Sequence, residues 1–433
     1  MKKISFYLQR TFTIRENEVS LVLLSALLFY TLMTSYNILK PIRDTMGLAG
    51  GVRDLENLFL FTLAAMALLT PLFATLVRKY RRDRFIPIAY RFFALNLVAF
   101  FLVLQLTGED DLIMVGRVFY VWVSVFNLFV LSLFWALMAD GFGYERSRRV
   151  FGLIAIGGTL GSILGNGVTK LFIGLIGEAK LILLSIVFLE ASVWLVKYLS
   201  RRFNAAGFHL EGAHDRPVAR KDGSGVLGGV SLMFRSSFLG GIGIYIFLYT
   251  FIGTLLYFLR SDVVHDLVPL RDDRTALFAD IYLWTNALTL FGQLFLTGRF
   301  LNRFGAGAAL VLLPLAMALG ALFLGTTPTL AVLVVFEVTR RAGNYAFVKP
   351  ARETLFTLVD RNVRYKAKSF IDTFVYRGGD ALGALGFKLL GVLGIGLVGT
   401  ALVTVPLSLV WGGVGYYLGR RQKQLAAARD DRT

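Results

Sequence analysis

Four polar residues inside an otherwise apolar stretch carry the most specific chemistry in this chain. Glu337, Arg340, Arg341 and Asn344 stand at i, i+3, i+4 and i+7. A helix puts all four on one face, and the spacing of Glu337 and Arg341 allows an ion pair along that face. Ionisable groups at membrane depth are costly and mark functional or tightly paired positions. Two readings stand side by side: a positive wall for an anionic substrate, or an ion pair that locks helices together. A second set follows at Asp372, Tyr376 and Asp380, spaced i, i+4 and i+8, with Arg377 beside them. It fits a proton or cation relay, or carboxylates paired to Arg340 or Arg341. Arg117 stands alone in an earlier apolar stretch and reads as the first-half counterpart of the Glu337 group. Lys40 and Arg43 flank Pro41 where the first apolar stretch ends, which reads as a basic mouth.

Weaker candidates are Glu190, and Arg91, Lys170 and Lys388, which stand near stretch ends where long side chains reach the interface. Tyr245, Tyr249 and Asn286 fit either a cavity lining or plain packing. His209, His214 and His265 all fall between stretches, so a buried histidine switch is not expected.

These groups need elements that can hold them in a membrane. Hydrophobic residues make up 56% of the 433 residues and Phe alone contributes 38, which excludes a soluble domain. A spanning helix needs about 20 mostly apolar residues. Twelve stretches meet that length, at roughly 19–39, 55–77, 85–106, 112–138, 150–176, 180–199, 238–259, 276–297, 306–324, 328–348, 369–393 and 395–418. The runs are continuous, not alternating, so helices are expected and a barrel is not. Lys and Arg fall almost entirely between alternate stretches, as at Arg78–Arg84 and Arg364–Lys368, whereas Glu109-Asp110-Asp111 occupies an opposite loop. The positive-inside rule then places both termini in the cytoplasm. The net charge of +18 sits in these membrane-flanking loops and fits lipid headgroups, not nucleic acid. Zero cysteines exclude disulfides and thiol chemistry.

The chain also reads as two copies of one design. A Gly-, Ser- and Pro-bearing polar segment at 201–235 separates an N-terminal six-helix bundle, 1–200, from a C-terminal one, 236–419, with a basic tail at 420–433. A shift of 221 residues puts Arg78 on Arg299, Arg82 on Arg303 and Gly157-Gly158 on Gly378-Gly379, and puts Arg117 one residue from Glu337. Each half has an even number of stretches, so the repeat is parallel. The expected fold is an all-α membrane protein of twelve transmembrane helices in two parallel six-helix repeats, the plan of major facilitator transporters. Gly157, Gly161 and Gly165, and again Gly379 and Gly383, have the four-residue spacing that lets membrane helices approach closely.

Several segments carry a family resemblance. Arg43-Asp44-Thr45, Phe134-Trp135-Ala136 and Arg149–Leu153 resemble blocks of the ATP/ADP translocases of plastids and intracellular bacteria. Lys349-Pro350-Ala351-Arg352-Glu353, then Lys366–Asp372 and Arg377-Gly378-Gly379, resemble that family's Asp-Pro-x-Lys-Glu and Gly-Lys-Ala-x-Ile-Asp blocks. Met46 and Lys349 depart from the pattern, so the chain resembles a divergent bacterial member. The resemblance implies a nucleotide-exchanging carrier in which Lys and Arg side chains, with Asp44, Pro350, Arg352, Glu353 and Lys368 as motif positions, handle phosphates.

The expectation is a monomeric secondary transporter of the bacterial inner membrane, working by alternating access on a small anionic substrate such as a nucleotide. It would use no cofactor, hydrolyse nothing and contact the lipid bilayer but no nucleic acid. No nucleotide-hydrolysing phosphate loop occurs, so exchange or an ion gradient would drive it. The alternatives are a proton-coupled transporter of another organic solute, and a non-transporting membrane scaffold or enzyme.

Overall fold

A computed structural model of the chain describes residues 16–106, 108, 111–205, 233, 236–359, 363, 367–368 and 370–430. Glu109, Asp110, His209, His214, 364–366, Ser369 and nearly all of the expected linker lie outside the described residues. Among the described residues every regular element is helical: α1 (Glu16–Gly47), α2 (Val52–Lys79), α3 (Arg82–Leu106), α4 (Leu112–Ala205), α5 (Ser237–Leu267), α6 (Arg271–Phe291), α7 (Thr297–Thr326), α8 (Leu330–Gly343), α9 (Lys349–Leu355), α10 (Tyr376–Val392) and α11 (Leu397–Asp430). π-helical turns at Gly292–Leu296, Asn344–Val348 and Ile371–Val375 join α6 to α7, join α8 to α9 and lead into α10.

Among the described residues seven spans are long and apolar enough to cross a membrane: Glu18–Gly47, Asp83–Leu106, Leu112–Phe142, Val150–Ala205, Ser237–Leu267, Arg271–Thr326 and Leu397–Ala427. The protein is an integral membrane protein. The stretches 55–77, 328–348 and 369–393 are not among the seven. In the last two the α-helices are short, 14 residues in α8 and 17 in α10, because π-helical turns and charged side chains interrupt them. Two of the seven spans have 56 residues, about 84 Å if straight at 1.5 Å per residue. A hydrocarbon core is only about 30 Å thick. Each long span contains a glycine in the left-handed region, Gly177 at φ 76 and Gly305 at φ 78, where the helix must break.

The chain forms two compact units, Met1–Pro217 with Pro269–Leu283, and Val218–Val268 with Trp284–Thr433. In the first, α4 lies along α1 three times. Gly116 meets the Met46 carbonyl and Phe134 stacks on Phe29 at 4.3 Å, so this pass is antiparallel. Gly157, Gly161 and Gly165 meet the Ala26, Tyr30 and Thr34 carbonyls in ascending order, so the next pass is parallel. Ser185 and Ser192 bond Ser35 at 2.8 Å and Thr31 at 2.9 Å, again antiparallel. The hydrogen-bonded run labelled α4 therefore doubles back between Phe134 and Gly157, and again around Gly177. A Cβ at Gly161 would overlap the Tyr30 carbonyl, which is why the seam needs glycine. Asn37 bridges this seam, donating to Ser162 at 3.0 Å and accepting from Asn166 at 3.2 Å.

In the second unit, Gly379 and Gly383 of α10 meet the Phe247 and Phe251 carbonyls of α5 in the same ascending order. α11 runs antiparallel to α5, with Leu418 against Gly241 and Trp411 against Tyr245. It stays helical to Asp430, so the segment expected as a tail from 420 begins as helix. Pro269–Leu283, expected in the second half, packs with the first unit, because Arg271, Thr275, Asp280 and Tyr282 find their partners there.

Candidate functional site

The Glu337 face of α8 lies against α5, and the two helices run antiparallel. Tyr249 meets Asn344, Gly253 meets Arg340, and Arg260 meets Glu337. The Arg340 guanidinium grips Glu337 as a fork, with Nε at 2.8 Å and Nη2 at 2.9 Å on the two carboxylate oxygens. Arg341 Nε donates to the same carboxylate at 2.6 Å. Arg260 adds a third guanidinium at 3.8 Å and lies over the Tyr257 ring at 5.0 Å. Glu337 is only 2% exposed and Arg260 is wholly buried. Three guanidiniums thus converge on one carboxylate inside apolar helices. Such groups bind anions, and bidentate Arg contacts suit phosphates and carboxylates best. The ion pair expected from the Glu337–Arg341 spacing is present.

Arg260 was missed in the sequence because it stands one residue beyond the stretch 238–259, where a basic residue reads as an interface anchor. The sequence does not single out Tyr257, and Tyr249 and Tyr245 fit either a cavity lining or packing aromatics. Tyr245 is a packing aromatic: its hydroxyl donates to the Leu310 carbonyl at 2.9 Å and its ring packs on Trp411.

The turn after α8 also follows from sequence. Pro350 cannot donate, and its ring excludes the carbonyl four residues back, at Ala346. The Thr297 hydroxyl donates to that carbonyl at 2.7 Å, and Gln293 donates to the Tyr345 carbonyl at 3.1 Å. π-Helical turns of this kind are frequent at functional sites.

Other expected residues fall elsewhere. Asp372 and Asp380 do not pair with Arg340 or Arg341. Asp372 is 4.0 Å from Arg352, and Asp380 is 3.8 Å from Arg377 while accepting from Thr254 at 3.3 Å. Asp380 stands on α10 and Asp372 on the π-helical turn before it, and each takes the partner nearest to it along or beside that segment. Arg352 also approaches Glu353 at 3.5 Å, and Lys368 holds Glu353 at 2.5 Å, so the motif residues form one network. Burial pushes the Glu353 carboxyl up, but the Lys368 ammonium and the Arg352 guanidinium outweigh burial and hold it below the usual range.

Three first-unit calls also resolve. Arg117 is half exposed and pairs with Asp54 at 2.8 Å. Lys40 lies 3.6 Å over the Tyr282 ring, and Arg43 pairs with Asp44 at 2.5 Å while donating to Ser124 at 3.3 Å. Asp44 in turn accepts from the Tyr282 hydroxyl. The basic mouth is therefore a laced cluster, joined through Thr275 to Thr45 and Glu178. Arg91 pairs with Glu190 at 2.6 Å, and Lys170 with Asp280 at 2.6 Å.

The fold is similar to that of several solved transporters. Over 92% of this chain and 98% of the other it is similar to a bacterial homologue of the iron transporter ferroportin, with TM-score 0.60 at 13% identity. The nucleoside transporter NupG gives TM-score 0.56 at 16% identity over 93% and 99% of the two chains. The human organic anion transporter MFSD10 gives 0.58 at 15% identity over 92% and 99%. No family model matches the chain. In sequence it is similar to ADP,ATP carrier protein 1 of Chlamydia trachomatis, 23% identical over 308 residues, which are 62% of this chain and 57% of that protein. The protein of the same name from Chlamydia muridarum is 22% identical over 307 residues, again 62% and 57%. The match spans little more than half the length of these carriers.

Proposed function

We propose that this protein is a secondary transporter that carries a small organic anion, a nucleotide first, by alternating access. The convergence of Arg260, Arg340 and Arg341 on Glu337 carries this reading. In a low-dielectric setting an arginine without a partner costs several kcal/mol, so Glu337 holds the guanidiniums until a mobile anion takes its place. Displacing the carboxylate changes the contact between α5 and α8 and favours reorientation. The distant likeness to ADP,ATP carriers points to nucleotides, and Lys40, Arg43 and Arg117 are proposed as further groups on the substrate's route. Asp372, Arg377 and Asp380 are proposed for ion coupling or gating. A proton-coupled carrier of another solute is the second reading, favoured by Asp380, which stands beside Thr254 one residue from the Gly253 that Arg340 touches.

The architecture we infer has twelve spans in two parallel repeats, 1–200 and 236–419, acting as a monomer in a bacterial inner membrane. The paired seams support it. Ala26 and Tyr30 stand 221 residues before Phe247 and Phe251, and their glycine partners Gly157 and Gly161 stand 222 before Gly379 and Gly383.

Two experiments test these readings. Proteoliposomes holding the protein should accumulate labelled ATP or ADP against a counter-nucleotide, and unlabelled non-nucleotide organic anions should compete poorly. Uptake of such an anion with no response to nucleotides would reassign the substrate. For orientation, single cysteines at Asp110 or Asp272 should react with an impermeant reagent from outside, and those at Arg82 or Asp222 only from inside. Outside labelling at Arg82 would overturn the placement of both termini in the cytoplasm.

A further inference from the structure

We propose that Asn344 and Tyr249 form the ring-reading half of the substrate site, taking a planar heteroaromatic ring with an amino donor beside a ring-nitrogen acceptor, as in adenine. The proposal rests on the reading of the arginine cluster as the anion site. Asn344 shares the helical face of Arg340 and Arg341, and stands four residues from Arg340, about 6 Å along the axis at 1.5 Å per residue. On α5, Tyr249 stands four residues before Gly253, and the Arg340 guanidinium lies 3.5 Å from where a Gly253 side chain would begin. The same two helix faces therefore carry an ionic end and, one turn further, a neutral polar end.

The neutral end has hydrogen-bonding capacity to spare. Asn344 Nδ2 donates to the Tyr249 hydroxyl at 2.7 Å. Among the described residues no other side-chain bond engages Asn344 Oδ1 or the Tyr249 hydroxyl proton. A pair serving only to lock two membrane helices would be satisfied within the protein, because unmet polar atoms are costly there. An amide oxygen beside a phenol proton is instead the complement of an amino group beside a ring nitrogen. Phosphate offers acceptors only, so it cannot use the amide oxygen. The Tyr249 ring is held by Tyr376 at 6.4 Å and Trp411 at 5.9 Å, which supplies aromatic surface for a stacked ring. Asn344 also opens the π-helical turn that Pro350 enforces, so its position on the face is set by the chain itself.

The test uses the full-length protein in proteoliposomes and two probes, ATP and tripolyphosphate, which share the anionic chain but not the ring. Asn344→Ala and Tyr249→Phe should each raise the half-saturating ATP concentration about tenfold to a hundredfold, the range of one bidentate base contact. The inhibition constant of tripolyphosphate against wild-type and variant uptake should stay the same. Tyr249→Phe keeps the ring and its packing, so it reports even if Asn344→Ala folds poorly. Parallel weakening of ATP and tripolyphosphate would show a merely structural pair and overturn the proposal, as would no change for either. If wild type takes up no ATP and tripolyphosphate does not inhibit, the anion-site reading fails and this one with it. Wild type that is inhibited by tripolyphosphate but indifferent to adenine refutes the ring half alone.

Discussion

Arg340→Gln and Arg341→Gln should each lower nucleotide uptake by a factor of about 10–100 while leaving the protein folded and inserted. Each change removes one charge-assisted contact to the anion, worth roughly 1.5–3 kcal/mol. The remaining guanidiniums still satisfy Glu337, so no buried carboxylate is stranded. Arg340→Lys should fall between glutamine and wild type, because an ammonium keeps the charge but cannot make the fork seen at 2.8 and 2.9 Å. Uptake in proteoliposomes, normalised to inserted protein, gives the result. Normal transport by both glutamine variants would mean that the arginines bind no substrate. Loss of folding in both would mean that the cluster exists to join α5 and α8.

Glu337→Gln, unlike the arginine variants, should lower stability. The carboxylate is the shared partner of three guanidiniums, and removing one member of a buried ionic set typically costs about 3–5 kcal/mol. The substrate-free variant should therefore melt well below wild type in detergent. An anion that occupies the vacated place then contributes more to the variant than to wild type, where it must first displace Glu337. Adding ATP should raise the melting midpoint of Glu337→Gln by more than it raises that of wild type. Equal shifts in both proteins would show that anion and carboxylate do not compete.

How much of this could be read from sequence depended on distance along the chain. The Glu337 face was legible because helical period alone aligns 337, 340, 341 and 344. The glycine seams were legible for the same reason, although matching contacts place Gly157 opposite Gly379, one residue from the offset seen in sequence. Partners set by register between separate helices were not legible. Arg260 joins Glu337 only because α5 and α8 lie antiparallel, and Arg117 finds Asp54 across 63 residues. Asp380 was drawn toward Arg340 by charge alone, whereas the α10 seam turns it to Thr254 and Arg377. Lys40 and Arg43 broke the charge rule for a reason only packing reveals: Asp44, Tyr120 and Tyr282 surround them. The turn at 344–348 was implicit in Pro350, but its effect depended on Thr297 standing ready to take the Ala346 carbonyl.

The central claim is that the α5–α8 arginines are the anion site, and a structure determined with bound ATP tests it most directly. Phosphate oxygens should lie within about 3 Å of Arg340 and Arg341, with Glu337 withdrawn from at least one of them. Phosphates resting instead on Lys40 and Arg43, or on the Arg352–Lys368 network, with Glu337 still gripped by all three guanidiniums, would contradict it.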